Sequence, residues 1–405
     1  MHTCPLDQPG TGDSGGMNVY VRQVSSRLAS MGVAVDVFTR SAGPEQHVVN
    51  VDPGVRVVHL DAGPNAPIDK EDLPQYLWPF LCALMRFESE ERERLDADTP
   101  VYDVVHTHYW LSGWAGRLLR ERIGVPLVHS FHTLGRVKNR TLAPGDAPEP
   151  SIRLRGEERI AQSADRLLAP TLEEAADLVC LYGAPHDRVR VVAPGVDTDK
   201  FRPGEPEAAR RSLGLTGRRV LLFVGRFQPL KRPQIALHAV ADLVRRRPDL
   251  AQDLALVMVG GPSGRGGITP DGLRKLASDL GIADIVDVLD PVPHALLPDH
   301  YRAAEAVIMP SATESFGLVA LESQACGTPV VAAAVGGLPV AVADGRSGLL
   351  VSGHHPATWA SALASVALRP GLRARLARGA VAHATEFSWD RTTDALVAGY
   401  ADAAS

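Results

Sequence analysis

"GTGDSGGMN", Gly10 to Asn18, admits three incompatible readings, and the fold of the whole chain turns on which one holds. Gly10, Gly12 and Gly15 fit the dinucleotide pattern G-x-G-x-x-G. Gly12-Asp13-Ser14-Gly15-Gly16 spells the loop around a trypsin-like nucleophilic serine. A glycine-rich loop opening a helix also suits the diphosphate of a sugar nucleotide. Gly15 and Gly16 let backbone approach a phosphate, and the helix from Met17 aims free N–H groups and a positive dipole end at it. The protease reading needs a histidine and an aspartate ahead of the serine, on β-barrels. Only His2, Asp7 and the adjacent Asp13 precede Ser14, and an α/β chain follows. The dinucleotide reading can use Asp36, which follows Gly15 at about the distance of a ribose-binding acid. That fingerprint also requires a strand directly before the first glycine. Here "MHTCPLDQP", with two prolines, stands in its place, and Asp36 lies inside the strand "VAVDVFTR" instead of at its tip. A phosphate loop or a ligand-free glycine loop remains, and the rest of the chain decides between them.

Working outward, "NVYVRQVSSRLASMG" places Val19, Val24 and Leu28 at helical spacing and stops at Gly32. "VAVDVFTR", "VRVVHL", "DVVHTH", "PLVHSF", "RLLAP" and "VRVVAP" follow as short apolar runs, mostly separated by helical segments. This rhythm predicts a mostly parallel sheet covered on both faces. "APGVDTDKFRPG" (Ala193 to Gly204) interrupts it, and a second series begins: "RRVLLFVG", "LALVMVGG", "IVDVLD", "EAVIMP" and "TPVVAA". The prediction is an α/β protein of two facing Rossmann-like domains, hinged near residue 195, with a ligand cleft at the carboxyl ends of both sheets.

Composition agrees. The 405 residues, 45% apolar and 22% charged, suffice for two ordinary domains. A net charge of −5 without a long basic run gives no footing to nucleic-acid binding; "RRRP" reads as a solvated helix end. "VVAAAVGGLPVAVA" is too short and too interrupted to span a bilayer, and no signal peptide is read at the start. Cys4, Cys82, Cys180 and Cys326 are scattered and read as reduced, buried thiols of a cytoplasmic protein.

The second half carries the charged groups. "FVGRFQPLKRP" sets Arg226 just after a strand and Lys231 five residues on, a fork and a point charge suited to a diphosphate. "ESFGLVALE" holds Glu314 and Glu322 eight residues apart around a helix start, so that both carboxylates can lie near one face. A carboxylate accepts two hydrogen bonds from a vicinal diol, which suits a ribose or hexose. Either motif alone is compatible with solvated surface charge; together they point to a nucleotide sugar.

With E-x7-E, the R-x4-K pair and the Gly-Gly loop, the chain resembles the retaining glycosyltransferases of family 4, which have the GT-B fold. The similarity runs through "HTCPLDQPGTGDSGGMNVYV", "HTHYWLSG", "FHTLGRVKN", "GRFQPLKRPQ", "GGPSG" and "ESFGLVALESQACGTPVVAA". It implies transfer of N-acetylglucosamine from UDP-N-acetylglucosamine to 1D-myo-inositol 3-phosphate, the opening step of mycothiol biosynthesis in actinobacteria, by a homodimer. It implies an acceptor-binding domain over residues 1–194, a UDP-sugar domain over 195–387, and a C-terminal helix over 388–405 returning to the first domain. Gly16, Arg226 and Lys231 would meet the uridine diphosphate, Glu322 the ribose and Glu314 the transferred sugar. Gln8 and Pro9 would line the donor side, and Val292 would meet the uracil through its backbone. Lys70, Tyr109, Thr133 and Arg153 would take the acceptor phosphate. His2 and the loop residues Asp13, Ser14, Gly15, Gly16, Met17 and Asn18 would lie around the inositol. Two cations and two hydroxyls are a coherent set for a dianion.

His106-x-His108 and His129-x2-His132 could suggest zinc, but no nearby cysteine or carboxylate set completes such a site. His132 is expected instead at the donor sugar, with His106 and His129 structural. Retention with a carboxylate nucleophile is one route. The resemblance implies another, in which the departing phosphate takes the acceptor proton on one face of the sugar, with His132, Arg226, Lys231 and Glu314 as the catalytic set. It also implies a Mg²⁺ remote from the diphosphate, at Tyr301, Arg302, Ala304 and Thr328, mainly through backbone carbonyls. A further implied feature is a buried strand of about 5–7 residues immediately before His2-Thr3, which would sit centrally in the first sheet. A transferase with another acceptor, a sugar-nucleotide 2-epimerase and a non-enzymatic sensor are the rivals; the last two need no acceptor-phosphate set.

Overall fold

Apolar runs bounded by glycine and proline form strands wherever both faces can be covered by helices. A computed structural model of the chain describes residues 1–43, 47–142, 147–263 and 268–405; Gly264, which closes "GGPSG", lies outside them. The first half contains β1 (Val35–Arg40), β2 (Val48–Asp52), β3 (Val55–Leu60), β4 (Val105–His108), β5 (Leu127–Ser130), β6 (Arg166–Ala169) and β7 (Val189–Val191). The second contains β8 (Arg219–Val224), β9 (Leu254–Val259), β10 (Val286–Leu289), β11 (Ala304–Met309), β12 (Val330–Ala333) and β13 (Gly348–Val351).

The second-half strands make one parallel sheet in the order β10-β9-β8-β11-β12-β13. β9 and β11 are buried at every residue, which is why "LALVMV" and "AEAVIM" read as nearly unbroken apolar runs. The first-half strands fall into two sheets: β4-β5-β6-β7, all parallel, and β1-β3-β2, in which β2 runs antiparallel to β3. Two parallel sheets with helices on their faces are the expected α/β architecture. β2 and β13 were not legible in the sequence. β2 is a half-exposed edge joined to β3 by a tight turn at Gly54 (φ +82°), and β13 is a short edge strand.

The helix Trp389–Ala404 packs on first-half elements. Trp389 and Leu396 share a buried cluster with Tyr20, Val24, Leu28, Val128 and Leu168, and the Tyr400 hydroxyl lies 2.8 Å from His106 Nδ1. The chain therefore crosses between the halves twice, and the crossings touch. Val196 N–H donates to the Phe387 carbonyl at 3.1 Å, and a Cβ on Gly195 would sit 2.2 Å from Trp389 N. Only glycine allows that approach.

The cysteine expectation needs correction. Cys326 is buried, but Cys82 and Cys180 are exposed and Cys4 is intermediate. Cys82 and Cys180 lie on the solvent sides of amphipathic helices, where a small, weakly polar residue costs little.

Among the described residues β1 and β4 each end a sheet, and the chain start lies against β1 and the helix Tyr109–Ile123 that follows β4. Thr39 Oγ1 donates to the Thr3 carbonyl at 3.1 Å, and the Met1 amino group donates to Ser112 Oγ at 3.3 Å. Burial pulls the Met1 amino group down to about 5, with Cys4 opposing and Arg40 reinforcing the shift. The folded state therefore binds fewer protons there than the unfolded chain between pH 5 and 8, and stability rises with pH across that window. Lengthening the chain by about six apolar residues before Met1 replaces this amine by a neutral amide. Denaturant titrations should show the chain starting at Met1 gaining about 2 kcal/mol more than the lengthened one between pH 6 and 8. Equal pH dependence for the two lengths would exclude this account.

Candidate functional site

Four strand ends aim their following loops at one cleft of about 390 Å³ between the halves. β4 delivers Tyr109, β5 delivers His132 and Thr133, β8 delivers Arg226, and β11 delivers Glu314. Tyr109 (φ +69°) and His132 (φ +60°) adopt left-handed backbone that side chains rarely take, and both line the cleft. Strain of this kind persists where the surroundings over-determine it, and it gathers at functional sites.

On the second-half wall, Arg226 lies over the opening loop: a Cβ on Gly15 would sit 3.4 Å from its Nε. Arg226 Nη1 donates to Ser263 Oγ at 3.2 Å and to the Asp13 carbonyl at 3.3 Å. Burial pulls Arg226 below its ordinary value, while Asp13 and Glu314 push it back up. Lys231 ends a short 3₁₀ turn and ion-pairs with Glu314. Glu314 precedes the helix Leu318–Ala325 instead of riding on it, so the two glutamates do not share a helix face as the spacing suggested. Gly317, at φ +109°, turns the chain between them. Glu322 is 6% exposed; its Oε1 lies 2.6 Å from His294 Nε2 and its Oε2 accepts from Tyr301 OH at 2.8 Å.

On the first-half wall, Arg153 is 2% exposed and commits every N–H it has. Nε donates to Glu157 at 2.6 Å, Nη1 to Glu149 at 2.9 Å and Tyr109 OH at 3.3 Å, and Nη2 to Thr133 O and Oγ1 at 3.0 Å. Arg153 thus gathers Tyr109 and Thr133 into one place. Lys70 stands 3.7 Å from Asp13 Oδ1, the same oxygen that lies 3.7 Å from Arg226 Nη1. Asp13 is therefore the counter-ion shared by the two walls. Gln8 also bridges them, its Nε2 donating to the Pro291 carbonyl at 2.9 Å, and Ser315 Oγ donates to the His132 carbonyl.

Most residues singled out in the sequence meet here. His2, Pro9, Asp13, Gly15, Gly16, Met17, Lys70, Tyr109, His132, Thr133, Arg153, Arg226, Lys231, Val292, Glu314 and Glu322 all line the cleft. Ser14 and Asn18 sit behind it. Asn18 Oδ1 accepts from Gly15 N–H at 3.2 Å and its Nδ2 donates to the Cys4 carbonyl at 2.5 Å, while Ser14 Oγ donates to the Asp7 carbonyl at 3.3 Å. They shape the loop instead of facing the space. Tyr301, Arg302, Ala304 and Thr328 also lie outside the cleft lining, at the end of the helix Leu297–Ala303, with Thr328 Oγ1 donating to the Tyr301 carbonyl at 2.6 Å.

The four histidines form an array in which His129 is fully buried and the other three are half-buried. His108 Nδ1 lies 2.9 Å from His132 Nε2, His106 Nε2 lies 2.9 Å from Ser130 Oγ, and His129 Nδ1 lies 2.8 Å from Thr107 Oγ1. Burial holds all four below the ordinary imidazole range, His132 at about 4, so they are neutral near pH 7. No group of three or more His, Cys, Asp or Glu arranged to hold a metal occurs among the described residues.

Sequence reasoning missed Lys138, Ser263, His294 and the pair Gly336-Gly337, all at the cleft or against it. Lys138 and Ser263 lie inside segments that were quoted, "FHTLGRVKN" and "GGPSG", but nothing in their spacing marked them. Gly-Gly at 336–337 was a legible sign of close backbone approach. A Cβ at Gly336 would sit 2.2 Å from the Glu314 carbonyl oxygen, and one at Gly337 would sit 2.3 Å from that of Ser315.

Comparison with known proteins was consistent along the chain. The "Glycosyl transferase 4-like domain" family matches residues 15–195, and "Glycosyl transferases group 1" matches residues 206–382. The D-inositol 3-phosphate glycosyltransferase of Actinosynnema mirum is 55% identical over 405 residues, covering 100% of this chain and 96% of that protein. The protein of that name from Acidothermus cellulolyticus is 53% identical over 408 residues, covering 100% and 89%. Among solved structures, sucrose-phosphate synthase from Thermosynechococcus elongatus superposes with TM-score 0.87 at 30% identity, covering 98% of this chain and 96% of that one. Anabaena HepE in complex with UDP and glucose superposes with TM-score 0.75 at 20% identity, with 97% of each chain covered; that likeness concerns the fold.

The glycine clasp under Glu314 can be tested directly. Gly337→Ala forces a methyl into the Ser315–Phe316 backbone and should displace the 314–316 loop. We expect stability to fall by about 1–3 kcal/mol and Lys231–Glu314 pairing to loosen, with weaker nucleotide binding in calorimetry. Unchanged melting and binding would show that the loop has room.

Proposed function

Because the chain belongs to the family of D-inositol 3-phosphate glycosyltransferases, we propose that it transfers N-acetylglucosamine from UDP-N-acetylglucosamine to 1D-myo-inositol 3-phosphate. One observation carries this reading beyond the family: two separate groups of cationic and hydroxyl donors face each other across one cleft, with Asp13 between them. An epimerase or a sensor would need only one.

Arg226 and Lys231, with the Gly16 N–H at the helix start, take the diphosphate. Glu322 accepts from the ribose, Glu314 from the sugar, and Pro9, Gln8 and Val292 close the donor side. Lys70, Tyr109 and Thr133 take the acceptor phosphate, and Arg153 joins them by exchanging Glu149 for phosphate. His2 and the loop Asp13–Asn18 shape the inositol pocket. In the transfer, the bond from the sugar's anomeric carbon to the diphosphate oxygen breaks. A bond from the same carbon to an inositol oxygen forms on the same face. The inositol hydroxyl proton passes to the departing phosphate. Arg226 and Lys231 stabilise the charge that grows there, in a site where the groups are already fixed. His132, neutral by burial, serves as a hydrogen-bond partner of the sugar and not as an acid.

The family resemblance would set a Mg²⁺ on oxygens of Tyr301, Arg302, Ala304 and Thr328. In this chain the Tyr301 carbonyl already accepts from the Ala304 N–H and, at 2.6 Å, from Thr328 Oγ1, so these oxygens are engaged with the protein and we assign no metal role to them. No helix among the described residues is long and apolar enough to cross a membrane. We place the enzyme in the cytoplasm, where nucleotide sugars are made.

UDP release from UDP-N-acetylglucosamine should require the inositol phosphate; release without it, or with free inositol at the same efficiency, would reject the assignment. Arg226→Ala or Lys231→Ala should lower kcat roughly 10²- to 10³-fold with little change in melting temperature. Lys70→Ala should raise the KM of inositol phosphate roughly 10- to 100-fold and leave weak use of free inositol untouched. Arg153→Ala is the poorer probe, because it strands Glu157, which is 0% exposed, and should cost about 3–5 kcal/mol of stability as well.

A further inference from the structure

We infer that His294, fixed by Lys200, is a positioning residue that aims the Glu322 carboxylate at the nucleotide ribose; this rests on the donor-site reading above. Lys200 Nζ lies 2.7 Å from His294 Nδ1, and His294 Nε2 lies 2.6 Å from Glu322 Oε1. An ammonium donates and cannot accept, so Nδ1 of His294 must be the bare, accepting nitrogen. The proton then sits on Nε2 and is donated to Glu322, so Lys200 decides the tautomer without touching the carboxylate. Tyr301 OH donates to the other oxygen at 2.8 Å.

Glu322 is thus held from two sides, and each of its oxygens keeps one lone pair for a ligand hydroxyl. His294 and Glu322 both line the cleft. The geometry is that of outer groups fixing the orientation of a binding carboxylate. Lys200 is itself anchored against the Phe201 ring, its Nζ 5.2 Å from the centroid, and the Phe201 and His294 rings pack at 5.1 Å. Phe201 is buried to 1% exposure, so this arm has a rigid base. Lys200 belongs to the "APGVDTDKFRPG" link, which makes the segment joining the two halves part of the nucleotide site.

The test compares binding of UDP and of 2′,3′-dideoxy-UDP to the full chain and to His294→Ala, His294→Gln and Lys200→Met, with melting temperatures as folding controls. The parent should prefer UDP by roughly 10- to 100-fold. His294→Ala should weaken UDP about tenfold and bring the ratio towards one, with dideoxy-UDP nearly unaffected. Glutamine at 294 can accept from Lys200 and donate to Glu322, so His294→Gln should keep most of the preference. The ¹⁵N spectrum of the parent should show His294 protonated at Nε2 only, and Lys200→Met should lose that single tautomer. A folded His294→Ala protein with the parental ratio, or a His294 protonated at Nδ1 in the parent, overturns the proposal. A parent that binds both nucleotides equally removes the ribose role of Glu322 and this inference with it. A parent that binds neither removes the donor-site reading itself.

Discussion

Positive charge gathered in one cleft needs counter-charge, and the site is organised around that requirement. Arg226 and Lys70 share Asp13, Lys231 pairs with Glu314, and Arg153 is held by Glu149 and Glu157. On the proposed reading, an arriving phosphate would exchange with a carboxylate instead of meeting a bare cation, so affinity would be the difference between two strong interactions. Asp13 is the pivotal group, since it faces both walls and ties the opening loop of the first half to the strand end of the second.

The backbone supplies the precision. Parallel strands deliver their following loops to the same side, and the fold exploits this from both halves at once. At Tyr109 and His132 the chain turns through left-handed backbone. Strain there is balanced by contacts the sharp turns permit, His132 with His108 and Tyr109 with Arg153. Gly336 and Gly337 do the opposite service under Glu314, giving up side chains so that two loops can touch. The two crossings between the halves meet at Gly195 and Ser388, so the link is a packed joint.

The sequence by itself determined the class of fold and the main chemistry. Buried parallel strands must be continuous apolar runs, and nearly every such run became a strand. Glycines before a helix, an Arg–Lys pair after a strand and two spaced glutamates carry their chemistry in their residue types, and these groups do meet in one cleft. Only the tertiary structure decided the rest. β2 and β13 are edges whose exposure erases the apolar signal. Glu314 and Glu322 are set apart by a glycine turn that spacing alone cannot reveal. Asn18 and Ser14 shape the loop from behind, and Arg153 proved fully committed to its neighbours. His294 and Lys200, 94 positions apart, had no local pattern to announce them. The physical reason is common to all of these: a polar side chain's role is set by which partner lies within about 3 Å, and partners distant in the chain are brought there only by the packing of the two halves.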